Sequence, residues 1–331
     1  MRSRRDLLGS VGGAATVGLA GCAGLPTFDG AGGTDHRPFT DWLYDPSSIS
    51  TDHYPTVVVN PAAVASVRQL VPTPTYGAWR TPVVASDPAN LGMDRIDSHV
   101  RFDGGTIAAM GAFSVGELVT GLEQGGYTER SEHRGYQVFL RSLSADDRIH
   151  WEAVGAANGA YVACRRRNRY SATLRIEQAI DAAEGRTPRY DIESSAFGTL
   201  VDYLGDATVV AAETYEPLGR PRVVPAHVDG TVGVGHGLVV EGETARRRLG
   251  VVFEPATDVE TSAVREWVRA ETPVGLDVPT RDVSLDREGR TVRLSWQQPL
   301  RSVTDRFATA AGRALGQHDW IDPGEATDET A

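Results

Sequence analysis

The sequence predicts an α+β protein in which antiparallel or mixed sheets carry helices packed on one face, arranged as two halves of split β-α-β type. Three observations lead there. Strand, helix, hairpin and helix patterns recur in that order in each half of the chain. Ser114 and Glu117 mark a helix start whose apolar residues then fall at helical spacing, and Asn158-Gly159 sits between two alternating runs as a tight hairpin turn.

Taken in order, residues 39–205 form the first half. Phe39-Thr40-Asp41-Trp42-Leu43-Tyr44-Asp45-Pro46 is abruptly aromatic and is expected to dock on the body, delivering the β-branched strand Thr56-Val57-Val58-Val59. Residues 104–113 read as a buried strand. The helix beginning at Ser114 presents Val115, Leu118, Val119 and Leu122 as one stripe and ends at Gly125-Gly126. Strands are expected over 127–132, 136–141, 147–154 and 160–166, followed by a helix through Ile176, Ala179, Ile180 and Ala183 and a short one over 194–204.

The second half, residues 206–316, repeats the order. It has a strand over 207–214, a hairpin of 231–241 with 244–253, a helix burying Val264, Trp267 and Val268, and a hairpin turning at Asp286-Arg287-Glu288-Gly289. Ser302 with Asp305 opens a last helix carrying Phe307, Ala311 and Leu315. A duplicated ferredoxin-like arrangement suits this order. Residues 317–331 are acidic and read as a disordered tail.

The first 21 residues decide where the chain lives. Arg4-Arg5 precede Leu7-Leu8 and an apolar run to Ala20 thinned by Gly9, Gly12, Gly13 and Gly18. At about fourteen residues the run is too short for a membrane-spanning helix and has the proportions of an export signal. The paired arginines with a weakly hydrophobic core resemble twin-arginine signals, which deliver folded cargo across the membrane through a dedicated export machinery. Leu19-Ala20-Gly21-Cys22 resembles a lipobox, which implies cleavage before Cys22 and lipid on its thiol. Stable anchoring takes two acyl chains, as lipoproteins generally carry. Residues 22–38 are small, polar and glycine-rich, and read as a tether to the outer face of the cytoplasmic membrane.

The charged inventory is 33 Lys+Arg against 44 Asp+Glu, and every basic residue is arginine. The net charge of −11 becomes −13 once the leader, with three arginines and one aspartate, is gone. An acidic, lysine-free surface is similar to that of proteins from halophilic archaea, where weakly hydrated arginine and abundant carboxylates maintain solubility in concentrated salt. The Trp42-Leu43 turn into Pro46, followed by Asp52-His53-Tyr54, is similar to uncharacterised lipoproteins of those organisms. So acidic a chain argues against nucleic acid or an anionic lipid surface as partner.

With Cys22 lipidated, Cys164 is the remaining cysteine, so no disulfide framework is expected and Cys164 reads as a small buried hydrophobe. There is no G-x-S-x-G, no G-x-x-x-x-G-K-[ST], no H-E-x-x-H and no C-x-x-C. No cofactor signature is present, and the lack of lysine excludes Schiff-base chemistry.

What remains is weaker. His227, Asp229 and His236 flank a glycine-rich stretch and are candidate metal or ligand groups, although on one strand His227 and His236 would face opposite sides; exposed loop histidines are the plainer reading. His99, His133 and His150 are scattered over strand ends and turns. Arg165-Arg166-Arg167-Asn168-Arg169 and Arg246-Arg247-Arg248 could contact phosphate, or pair with carboxylates and guard an edge strand. Trp151, Trp267 and Trp296 read as core. The sequence thus points to an exported, lipid-anchored, non-catalytic binding or envelope-interaction module, with an extracellular hydrolase built on dispersed histidines and carboxylates as the alternative.

Overall fold

Runs such as Val57-Val58-Val59 and Ile107-Ala108-Ala109 are buried at every residue, so the strands that contain them have apolar contacts on both sides. That feature organises the fold. The computed structural model describes residues 37–49, 53–145, 148–215, 228, 230–254, 261–270 and 282–303. The leader, Arg4, Arg5, Cys22 and the tether to His36 lie outside the described residues. So do His227, Asp229, the acidic tail and all of the helix expected from Ser302 that follows Val303; Ser302 itself ends a 3-10 turn, Leu300–Ser302.

The strands are β1 (His53–Val59), β2 (Ile96–Phe102), β3 (Thr106–Gly111), β4 (Thr128–His133), β5 (Tyr136–Ala145), β6 (Arg148–Ala157), β7 (Ala160–Arg166), β8 (Val209–Tyr215), β9 (Thr231–Glu241), β10 (Thr244–Phe253), β11 (Ser284–Glu288) and β12 (Thr291–Pro299). Helices are α1 (Pro61–Ser66), α2 (Thr73–Ala85), α3 (Val115–Gln124), α4 (Arg169–Ala183), α5 (Tyr190–Glu193), α6 (Ser195–Leu204) and α7 (Thr261–Ala270). All twelve strands join one antiparallel sheet in the order β11-β12-β10-β9-β8-β1-β2-β3-β7-β6-β5-β4.

The α+β class and the antiparallel sheet are as expected; the placement of the helices differs. They cover both faces. On the first, α4 and α6 pack through Ile176, Ile180, Phe197 and Leu204 onto Tyr54, Val58, Phe102 and Val162. On the second, α1, α2 and α3 pack through Val64, Trp79, Leu118 and Leu122 onto Val57, Val59, Ile107 and Tyr161. A third cluster sets Val264, Trp267 and Val268 of α7 against Leu249, Val251 and Leu294. Helices on one face would have left half of each central strand's apolar side chains in water.

Of the two expected split β-α-β halves, only β10-α7-β11 has the single intervening strand such a unit requires, so the halves do not repeat one arrangement. The chain leaves β3, forms α3 and returns as β4 with β7, β6 and β5 lying between; α7 links β10 to β11 across β12 alone. The division expected at 205/206 falls between α6 and β8, and β8 pairs with β1 from Val59↔Val209 to His53↔Tyr215. The sheet is continuous across it.

Local sequence explains the edges of these elements. Ser114 accepts from the Glu117 N–H while Glu117 accepts from the Ser114 N–H, the reciprocal cap the sequence indicated. The glycines of β9 make the floor for α6: a Cβ on Gly235 would stand 2.5 Å from Leu204 Cδ1. Close helix approach, rather than ligand binding, accounts for that glycine-rich stretch.

Candidate functional site

The β2–β3 turn runs through Asp103 and Gly104, both at positive φ (48° and 60°), and this left-handed geometry turns the Asp103 side chain inward beneath the first face. There the carboxylate accepts from the Tyr44 hydroxyl at 2.6 Å, from Arg166 Nη2 at 3.2 Å and from Arg175 Nη1. Arg166 also donates to the Asp103 backbone carbonyl at 2.9 Å. Asp103, Arg166 and Arg175 are all under 10% exposed, so each charge depends on the others for the solvation it has lost. Burial and the neighbouring Asp103 raise the Tyr44 phenol well above its ordinary value. Burial alone would lower the Arg166 guanidinium; its interactions with Cys164 and then Asp103 raise it instead.

Four parts of the chain meet here. Tyr44 belongs to the docked 37–49 segment, whose Phe39, Trp42, Leu43 and Tyr44 are buried in the first-face core. Trp42 Nε1 lies 3.2 Å from Met110 Sδ, Asp41 pairs with Arg189, and the Tyr190 N–H donates to the Leu43 carbonyl at 2.7 Å. The segment is therefore built into the core.

On the opposite face Glu152 forms a second ionic cluster. It accepts from Arg141 Nε at 3.1 Å, Arg165 Nε at 2.8 Å and the Tyr127 hydroxyl at 2.8 Å. Burial alone would raise the Glu152 carboxyl; bonds from Arg141 and Tyr127, with the charges of Arg165 and Arg141, hold it below its ordinary value. Neighbours in sequence, Arg165 and Arg166 thus serve carboxylates on opposite faces, as strand alternation requires.

Ser86, at the C-terminal end of α2, places Oγ 2.8 Å from His99 Nε2 and donates to the Pro82 carbonyl at 2.6 Å. Burial, helped by Arg101, pushes the His99 imidazole down to about 4, so it is neutral at pH 7. A hydroxyl beside a neutral imidazole has the composition of a nucleophile–base pair. Against that role, His99 is 2% exposed and the Ser86 hydroxyl bonds back into its own helix.

Of the candidates named from sequence, His236 sits in mid-β9 and is 3% exposed, unlike a loop histidine. Its ring stacks on Trp296 at 6.4 Å, and burial, then Arg247, pushes its pKa well below the ordinary value. Among the described residues, no three His, Cys, Asp or Glu side chains converge to hold a metal ion. His133 lies 3.0 Å from Asp181, and His150 is half-buried on β6.

Arg165 and Arg166 end β7 and Arg246-Arg247-Arg248 lie on β10, both interior strands, so the edge-guarding role does not apply; β4 and β11 are the edges. Pairing with carboxylates does apply. Arg246 meets Glu241 at 2.6 Å, Arg248 meets Asp206, and Arg247 is fully buried. Asp103, Tyr44, Glu152 and the Ser86–His99 pair were not foreseen; the Asp103-Gly104-Gly105 turn is the one local signal that pointed to any of them.

No family model and no curated protein matches this chain. Solved structures that match include crystal form III of TP0453 (TM-score 0.45, 10% identity, 83% of this chain and 97% of that one) and crystal form I (TM-score 0.42, 10% identity, 84% and 98%). Crystal form IV of TP0453 gives a TM-score of 0.35 at 11% identity, covering 82% of this chain and 97% of that one. Likeness at that level carries no functional argument. No described helix is long and apolar enough to cross a membrane.

Proposed function

We propose that this protein is an exported, lipid-anchored component of the cell envelope whose body works as a non-catalytic binding or interaction module. The observation that carries the reading is the leader, in which Arg4-Arg5, a short weakly apolar run and Leu19-Ala20-Gly21-Cys22 follow one another at the spacing of a twin-arginine lipoprotein signal. Cys22 holds the lipid and the outer face of the cytoplasmic membrane holds the protein. The acidic, lysine-free composition suits a halophilic archaeon.

The body supports the non-catalytic part. Its two richest polar clusters, around Asp103 and Glu152, bond carboxylate to arginine inside the fold and serve its stability. The 37–49 segment suits a protein held by its amino terminus, because it ties the start of the body to the Asp103 cluster.

Localisation tests the reading. Cys22→Ser is expected to appear in the medium, and Arg4→Lys with Arg5→Lys to leave precursor inside the cell. Cys22→Ser protein that stays with washed membranes contradicts the lipid anchor.

A second reading, an extracellular hydrolase, draws on the 2.8 Å Ser86–His99 pair. A fluorophosphonate probe separates the two: labelling of native protein that Ser86→Ala abolishes would favour the hydrolase.

A further inference from the structure

We infer that Met110 is an oxidant-sensitive modification site, at which two-electron oxidation of the thioether to the sulfoxide loosens the 37–49 segment from the first face. The inference concerns the body alone and stands whether or not the lipid-anchor reading does.

The chain has three methionines, Met1, Met93 and Met110, and the first is in the leader. Met93 is 8% exposed and belongs to the second-face core. Met110, near the end of β3, is half-buried and packs against the first-face core from its margin. Its neighbours across the sheet are small: Ser98 on β2 and Ala160 on β7, with Ala157 of β6 opposite Ala160. That row sets no bulky side chain beside the thioether, so a small oxidant reaches Met110 sooner than Met93.

The sulfur has a definite task in this place. Trp42, fully buried, donates its indole N–H to Met110 Sδ at 3.2 Å and meets the Tyr136 ring edge to face, with centroids 6.1 Å apart. A thioether is a weak acceptor, but it is soft and apolar enough to lie against an indole inside a core. Trp42 stands mid-way along a segment whose other polar ties include Asp41 to Arg189, the Leu43 carbonyl to the Tyr190 N–H and Tyr44 to Asp103. Met110 therefore holds the most deeply inserted ring of that segment.

A peroxide supplies the oxygen. A sulfur lone pair attacks the O–O bond, the S–O bond forms and the second oxygen leaves as water, so sulfur loses the two electrons that the peroxide gains. The sulfur then carries partial positive charge and no longer accepts from the Trp42 N–H, while a strongly polar S–O group replaces an apolar one. Keeping Trp42 seated would leave a buried donor without its acceptor, a cost that favours withdrawal of the segment.

The test treats the full chain with hydrogen peroxide, locates sulfoxide by peptide mass spectrometry and follows hydrogen exchange in peptides from 37–49. Met110 is expected to gain oxygen well before Met93, and exchange over 39–44 to rise by up to about tenfold, the scale of one sulfur–aromatic contact. Met110→Leu, which keeps the apolar volume without an oxidisable sulfur, should show no peroxide-dependent rise, and methionine sulfoxide reductase with dithiothreitol should restore slow exchange in the wild type. Oxidation of Met110 no faster than that of Met93, exchange over 39–44 that stays constant once Met110 is oxidised, or an equal rise in Met110→Leu would each overturn the inference.

Discussion

The Tyr44 hydroxyl bonds to Asp103 Oδ2 at 2.6 Å across 59 positions of sequence, joining the segment nearest the amino terminus to the turn between two central strands. Two buried arginines share the same carboxylate, so disturbing Asp103 strands positive charge in the core.

Asp103→Asn is accordingly expected to destabilise the protein by about 3–5 kcal/mol, the range for removing one partner of a buried ion pair. Tyr44→Phe, which removes one bond to a charged acceptor, should cost about 1.5–3 kcal/mol. Denaturant unfolding measures both. A loss for Asp103→Asn no larger than that for an exposed Asp94→Asn would show that the cluster contributes little.

Acid should weaken the fold in two stages. His99 has a folded pKa of about 4 against an ordinary 6.5, so the unfolded chain binds the proton first. Its contribution is whole above pH 6.5 and declines by up to about 1.4 kcal/mol per pH unit as the pH falls toward 4. Glu152, held below its ordinary 4.5, adds a further loss beneath that pH. Unfolding midpoints from pH 7 to 3 should show a shallower first stage in His99→Gln and a shallower second in Glu152→Gln; unchanged slopes would refute these assignments.

Gly235→Ala should cost about 1–3 kcal/mol through overpacking against Leu204. Combining it with Leu204→Ala should cost less than the sum of the two single changes. Strict additivity, measured by thermal unfolding, would mean that α6 does not rest on that glycine.

Cys164 is 2% exposed, and burial raises its thiol pKa. A maleimide should leave Cys164 unmodified in the native protein and react with it fully in denaturant. Rapid native labelling, located by peptide mapping, would place β7 outside the core.

How much of this was legible follows from where each signal resides. α3 was readable because its cap and stripe are local, and β6–β7 because Asn158-Gly159 fixes the turn. β2 was missed because its seven residues include the buried His99 as well as Asp97 and Arg101, which blur the apolar alternation. α2 was hidden by Pro74 at its start and Pro82 within it. The unbroken apolar runs of β1 and β3 already signalled a sheet covered on both faces. The Asp103 cluster was beyond reach, since its partners lie 59, 63 and 72 positions away and only the folded sheet order brings them together.

Intact-mass analysis of the protein extracted from its native membranes tests the central proposal most directly. A mature chain beginning at Cys22 and carrying the added mass of two acyl or alkyl chains on that residue is the predicted result. An unmodified chain beginning elsewhere, or a full-length product with its leader still attached, would contradict it.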